Sequence, residues 1–523
     1  MPVPAVTIRP RRSMILVALF SIAMVVLSYV FVLALAAACV LLPYWMMTST
    51  ESANGQLVLL FLFGIAIAGA MLWSLVPRLD KFKAPGPVLD KSQHPFLFAE
   101  LENIAGALNE PMPREVYLIG DLNAWVADRG GFMGFGSRRV MGLGLPLLSI
   151  LTISQFRAVL AHEFAHYYGG DTSLGPWVYK TQNAMVRIFQ NIGSVGKVAR
   201  VAVLSIMYMI VGTLMKWYFK LFLRAINLAS RQREYRADEL ACLVAGRQAL
   251  VDGLRSIHGG TPAWPVYWQT EVAPILGQGA APSIAEGFAQ FTAVPHIHQQ
   301  IQTYLVTQIR DAKTNPYDSH PPLRERIAAA EKVESQIVTQ DTRSAISLLD
   351  QPQLTELRFL EHVNPDMKPG MLASVSWDDV AARVTVPGWK KFAEEYSSVL
   401  QDISVESLPG VVPKLQQIGN GMRDPKGMLL GPEQRFQRAS YLIGVGFALA
   451  LLDLGWTLRH SPGVFHLSRA AATLSPFEVM DKLVKGQLTA ADWSKQCAEL
   501  EISGLQLGPV SPQQLQLSIP GTV

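Results

Sequence analysis

Two long stretches without a charged residue, Met14 to Leu42 and Leu57 to Val76, constrain this chain before anything else does. An α-helix needs about 20 apolar residues to cross the hydrocarbon core of a bilayer, and both runs are long enough. A cleaved signal peptide is the alternative for the first, because Arg9, Arg11 and Arg12 form a basic start. Its apolar run, however, far exceeds the ~7–15 residues of a signal core, and a second run comes after it. The pair reads as a transmembrane helical hairpin, with the lipid bilayer as its partner. Lys and Arg collect on the cytoplasmic side of membrane spans. Arg9, Arg11 and Arg12 precede the hairpin, Arg78, Lys81 and Lys83 follow it, and the loop between holds only Glu51. The expectation is an integral membrane protein whose remaining chain faces the cytoplasm, at the inner membrane if the source is bacterial.

The 523 residues allow two or three domains. Hydrophobic residues make up 50% and charged ones 16%, a greasy balance concentrated at the front of the chain. The net charge is only +4 and no dense Lys/Arg run is present, which argues against a nucleic-acid partner. Three widely spaced cysteines argue against a disulfide framework.

"KAPGPVLDKSQHP" (Lys83 to Pro95) reads as a linker into a second domain. "PFLFAELENIAGALNE" has apolar residues at helical spacing, and "EVYLIG", "NAWVAD" and "RRVMGLG" read as three strands. The glycine-rich "GGFMGFGSRRVMGLG" lacks the Lys-Ser/Thr ending of a phosphate loop and reads as a hairpin turn. Next comes a well-signposted helix. Thr152 and Gln155 make a capping-box pattern, Phe156, Val159, Leu160 and Phe164 mark its apolar side, and Gly169 and Gly170 are placed to end it.

That helix carries "HEFAHYYGGD" (His162 to Asp171). His162 and His166 are four residues apart, so both imidazoles project from one face, a turn apart. Such a pair suits two ligands of one tetrahedral zinc ion at about 2.0–2.1 Å each. Zinc lowers the pKa of a bound water toward ~7, and Glu163, beside the first ligand, is placed to accept its proton as general base. Chance, or histidines satisfied within a core, would leave the same pattern.

A catalytic zinc needs a third protein ligand, and "SRQREYRADELA" (Ser230 to Ala241) offers Glu234. Asp238, one turn on, would accept the free ring N–H of a ligating histidine. Taken by itself the stretch reads better as a solvated charged helix. A donor for the oxyanion is also expected, and "NPYDSHPPLRERI" supplies His320 before a Pro-Pro pair, with Arg326 beyond it. His296 and His298 form a possible metal pair on a strand, but no third partner accompanies them.

The order "NAW", "HEFAHYYGGD", "SRQREYRADELA", "SHPPLRERI" resembles the membrane-bound gluzincin family that contains the CAAX prenyl proteases and the HtpX-type heat-shock proteases. The resemblance covers about residues 83–330, plus the preceding spans. It implies one zinc ion per chain on His162, His166 and Glu234, with Glu163 as base, Asp238 behind the ligands and His320 stabilising the transition state. It also implies that Asn123 and Ala124 belong to an edge strand against which a substrate peptide lies. Trp125 stands where the family often has another aromatic residue. The stretch between His166 and Glu234 departs from HtpX-type members, because it is not clearly two more spans.

Val201 to Met215 is apolar but short, and Lys216, Lys220 and Arg224 interrupt its aromatic continuation. Since His166 precedes this run and Glu234 comes after it, a single crossing would separate the ligands across the membrane. The preceding stretch contains Lys180 and Arg187 and makes a poor partner span. Residues 201–228 are therefore expected to lie along the interface or to pack against the hairpin. Residues 331–523 read as mainly helical, and "YLIGVGFALALLDLGW" (Tyr441 to Trp456) reaches Asp453 too soon to span. A buried core helix fits it better than an interfacial one.

The expected fold is α+β and mostly helical, in three parts. Residues 1–84 form the membrane anchor, 85–330 a zincin-type catalytic domain with a small sheet, and 331–523 a helical region without evident chemistry. The expected function is a membrane-anchored zinc metalloendopeptidase acting on protein or peptide substrates, in quality control or regulated cleavage of membrane-associated proteins. One alternative is a CAAX-type prenyl-protein processing protease, whose chamber would call for more spans than the two clear ones. The other is an inactive membrane scaffold, against which the intact Glu163 argues. Nothing in the residues specifies an oligomeric state.

Overall fold

The computed structural model describes residues 12–50, 55–77, 81–131, 136–167, 175–197, 201–312, 315–335, 337, 340–364, 366, 370–425 and 429–508. Arg9, Arg11, Glu51, Arg78, Gly169, Gly170 and Asp171, each of which enters the sequence argument, lie outside the described residues. The chain forms two compact units, Met1–Pro262 with Gln300–Val363, and Ala263–Gln299 with Asn364–Val523.

The hairpin expected from the sequence forms as α1 (Arg12–Thr48) and α2 (Gly55–Leu75), apolar on every side, as lipid-facing helices are. Gly64 brings the two together: a Cβ there would run into the Cys39 carbonyl oxygen, whereas Gly69, further along α2, has nothing within 4 Å. Further on come α6 (Gly175–Gly196) and α7 (Ala202–Ala245). Ile188 and Ile192 of α6 and Leu204, Val211 and Met215 of α7 are buried in one cluster with residues of α1 and α2.

Residues 201–228 thus pack against the hairpin, one of the two expected arrangements. α6 is a better neighbour than its charges suggest. Arg187 donates to the Ser74 carbonyl at 2.9 Å through Nη2, and Asn191 donates to Ser74 Oγ at 2.8 Å, so these two polar side chains of α6 bond to α2. Among the described residues, three helices are long and apolar enough to cross a membrane: Ala18–Thr48, Gly55–Leu75 and Ala202–Ala245.

The expected helix and three strands also form. They are α3 (Pro95–Ala107), β2 (Glu115–Ile119), β3 (Ala124–Arg129) and β4 (Arg138–Gly144), preceded by the two-residue β1 (Val88–Leu89). The order across the sheet is β1-β2-β4-β3, with β2 and β4 parallel and the other pairs antiparallel. β3 is therefore an edge strand. Gly142 of β4 lies under the ring of Trp125, which a Cβ at that position would strike.

After the short α4 (Leu145–Ile150) comes α5 (Ile153–Ala165), the helix bearing the histidines. Both halves of its capping box are present: Gln155 N donates to Thr152 Oγ1 at 3.3 Å and Thr152 N to Gln155 Oε1 at 3.0 Å. Arg157 holds Glu100 of α3 through two bonds of 2.7 Å. The expected apolar side, Phe156, Val159, Leu160 and Phe164, is buried.

The second unit centres on the helix Pro432–Asp453, which is buried as expected of the Tyr441–Trp456 stretch. A three-stranded antiparallel sheet, Thr457–Ser461, Val464–Arg469 and Ala472–Leu474, adjoins that core and has no clear signature in the sequence. Its strands are short and half-buried, so they carry little of the alternation that marks a strand. His296 and His298 fall on a helix, Pro295–Asp311, rather than a strand. Residues two apart on a helix point in different directions, which removes the proposed metal pair.

The close approach at Gly64 yields a test. Gly64→Leu should force α1 and α2 apart at a cost of about 1–3 kcal/mol for overpacking, lowering the melting temperature of the detergent-solubilised protein. Gly69→Leu should leave it nearly unchanged. Equal melting temperatures for the two variants would show that the helices do not meet there.

Candidate metal centre

α5 and α7 bring together three donors that are far apart in sequence. His162, His166 and Glu234 each offer a ligand atom, all within 4.8 Å of one another. His162 Nε2 lies 3.2 Å from His166 Nε2 and 3.5 Å from Glu234 Oε2, and His166 Nε2 lies 3.6 Å from Glu234 Oε1. Ligands about 2.0–2.1 Å from a tetrahedral ion stand about 3.3–3.4 Å from each other. The two imidazole nitrogens thus stand at the spacing of two such ligands, with one Glu234 oxygen near each.

The surroundings of these atoms also suit a cation. Glu234 is buried, and its Oε2 accepts no properly aligned hydrogen bond, although His320 Nδ1 lies 3.0 Å away. Two imidazole nitrogens facing each other can share one proton but cannot both carry one. Burial opposes charge on His162, but Asp238 and the nearby Glu234 carboxylate outweigh it and raise the imidazole to about 9. Burial and the neighbouring His162 push His166 down to about 3. The cluster accommodates one positive charge between its donors, and the residues present fit a metal ion.

Asp238 lies behind the triangle, as expected. Its Oδ1 is 2.9 Å from His162 Nδ1, which leaves Nε2 aimed at the other donors. The same carboxylate is held by Arg326, whose Nε and Nη2 donate at 2.9 and 2.7 Å. Arg326 comes from the helix Leu323–Ala330, and both groups are buried. Sequence reasoning places Arg326 beyond His320 but assigns it no role. The Pro-Pro pair ahead of it is the available signal, because it starts that helix where the side chain can reach α7.

Glu163 lies beside the triangle, and burial raises its carboxyl to about 7, a range suited to exchanging a proton near neutrality. His320 sits at the rim, with an exposed side chain. Asn123 immediately precedes β3, where its carbonyl accepts from Gly144 N at 2.9 Å, and Ala124 opens the edge strand. Tyr167, which sequence reasoning does not single out, donates its hydroxyl to the Val126 carbonyl of that strand at 3.0 Å.

The buried pair has a measurable consequence. Removing one partner of a buried ion pair leaves an uncompensated charge and typically costs about 3–5 kcal/mol. Arg326→Met should destabilise the protein by that order in urea unfolding, and Arg326→Lys, which keeps the charge without the two-pronged geometry, by less. An unchanged midpoint for Arg326→Met would mean that the pair contributes nothing to the fold.

Comparison with known proteins agrees with this geometry. Residues 92–334 match the profile of Peptidase family M48. Protease HtpX of Idiomarina loihiensis is 26% identical over 230 residues, which cover 40% of this chain and 74% of that protein. Protease HtpX of Stenotrophomonas maltophilia is 25% identical over 296 residues, 54% of this chain and 88% of that protein. Protease HtpX of Acinetobacter baumannii reaches 32% identity over a shorter stretch of 124 residues, 22% of this chain and 40% of that protein. The resemblance carried by the four motifs therefore holds: residues 92–334 match peptidase family M48, and the relatives named are HtpX-type proteases, as expected of a membrane metallopeptidase family that includes them.

Proposed function

We propose that this chain is a membrane-anchored, zinc-dependent endopeptidase that cleaves membrane-associated proteins in quality control or regulated proteolysis. The observation that carries the reading is the cluster of His162, His166 and Glu234 donors, all within 4.8 Å of one another, with Glu163 beside it. In this reading residues 1–84 anchor the chain, 85–330 carry the chemistry, and 331–523 supply none of it.

His162, His166 and Glu234 would hold one zinc ion, which when bound polarises the peptide carbonyl and makes a water acidic near neutral pH. Glu163 takes the proton from the attacking water and returns it to the leaving amine. Asp238 accepts the His162 Nδ1–H and so keeps Nε2 directed at the ion, while Arg326 keeps Asp238 in place. His320 donates to the carbonyl oxygen as negative charge develops there. Asn123 and Ala124 hold the substrate backbone against the edge of the sheet.

Substitutions separate these roles. Purified protein should contain about one zinc per chain, Glu163→Gln should keep the metal and lose hydrolysis of a casein-like substrate, and Glu234→Ala should lose both. His320→Ala should lower kcat by ~10²–10³ with zinc content unchanged, as expected of a lost oxyanion donor. Wild-type cleavage by Glu163→Gln would defeat the enzyme reading.

The catalytic part is assigned to the cytoplasmic side, because Lys81 and Lys83 come after the hairpin and cations stay inside. Single cysteines at Gln232 and Asn315 should both react with a membrane-impermeant maleimide only from the cytoplasmic face of sealed vesicles. Labelling from the opposite face would reverse the orientation.

A further inference from the structure

β3 pairs with β4 along one side and leaves its other side open. In an antiparallel pair, residues alternate between those that turn both N–H and C=O toward the neighbour and those that turn both away. Gly144 N donates to the Asn123 carbonyl, which sets the alternation: Asn123, Trp125 and Ala127 face β4. Ala124, Val126 and Asp128 therefore direct their amides and carbonyls to the open side, where an added strand would bond.

That open side is interrupted at one place. The Tyr167 hydroxyl donates to the Val126 carbonyl at 3.0 Å. Tyr167 directly follows His166 and is 8% exposed. Arg139 of β4 lies over its ring, 3.9 Å from the centroid, and is itself held by Glu110 at 2.9 Å. The phenol is clamped, and its oxygen occupies the outward carbonyl of Val126. A guest strand running antiparallel to β3 needs both backbone groups of Val126, and one running parallel needs the Val126 carbonyl and the Asp128 amide. In either direction it meets Tyr167.

We propose that Tyr167 is a specificity-determining residue that ends the substrate strand. The peptide ladders with Ala124 and the Val126 amide, then leaves the edge, so residues beyond that point are bound without main-chain bonds to β3. This inference rests on the peptidase reading and fixes the extent of its backbone recognition. A bond that only tied the end of α5 to the sheet would treat peptides of every length alike.

The test uses the full-length, zinc-loaded protein in detergent and fluorogenic peptides built outward, one alanine at a time, from a cleaved sequence. In the wild type, kcat/KM should stop rising at one end of the peptide earlier than at the other. Tyr167→Phe keeps the ring over which Arg139 lies and frees the Val126 carbonyl. It should move that plateau outward and raise the long-to-short ratio of kcat/KM roughly two- to tenfold, the effect of one added hydrogen bond. N-methylation of the newly added residue should abolish the gain. Independently of any variant, N-methyl groups placed beyond the plateau should cost the wild type nothing, while those before it should be costly. An unmoved plateau in Tyr167→Phe, or a uniform loss at every length, overturns the inference while leaving the peptidase reading intact. A zinc-loaded wild type that cleaves no peptide overturns the peptidase reading, and this inference with it.

Discussion

α7 is one uninterrupted helix, and both halves of the first unit depend on that continuity. Its early residues, Leu204, Val211 and Met215, are buried against the hairpin, and the same helix carries Glu234 and Asp238. At 1.5 Å per residue, Leu204 and Glu234 are about 45 Å apart along a single rod. The third donor is thus positioned from the helical bundle, whereas the two histidines are positioned from elsewhere. α5 is fixed by its capping box and by the Arg157–Glu100 pair to α3. The centre exists only because these two frames agree to within an ångström or so at the donor atoms.

What makes them agree is charge as much as packing. Asp238 is 1% exposed, and a carboxylate so buried is costly unless it is paired. It finds partners from both other elements, His162 of α5 and Arg326 of the helix Leu323–Ala330. Three segments distant in sequence are thereby joined at one buried carboxylate. The same arrangement orients the histidine nitrogens inward, toward a Glu234 Oε2 that has no aligned donor.

The sheet complements that centre with a backbone edge. Trp125 lies over Gly142, within the sheet face, so its side chain does not occupy the open side of β3. Tyr167 does occupy part of it, and its neighbour in sequence is a metal-ligand candidate. In the proposed reading, the turn that ends α5 connects the chemistry to the length of backbone available for recognition.

The apolar hairpin, the α3-β2-β3-β4 series and the α5 cap were legible in the sequence because each rests on local rules. Such rules include uncharged runs long enough for a bilayer, alternation bounded by turn residues, and Thr152 with Gln155 at capping spacing. The four-residue interval of His162 and His166 was legible for the same reason, since helical geometry alone sets two side chains on one face. Glu234 and Asp238 could be nominated by the resemblance, but read by themselves they suited a solvated helix. Only tertiary packing buried them, because burial depends on which elements arrive opposite. Packing also decided the role of Arg326, which needed Asp238 from 88 residues away, and the place of α6, whose Arg187 is satisfied by Ser74. Tyr167 was illegible for the plainest reason. A phenol announces nothing about which carbonyl it will meet, and that partner was chosen when α5 came to rest against the edge of the sheet.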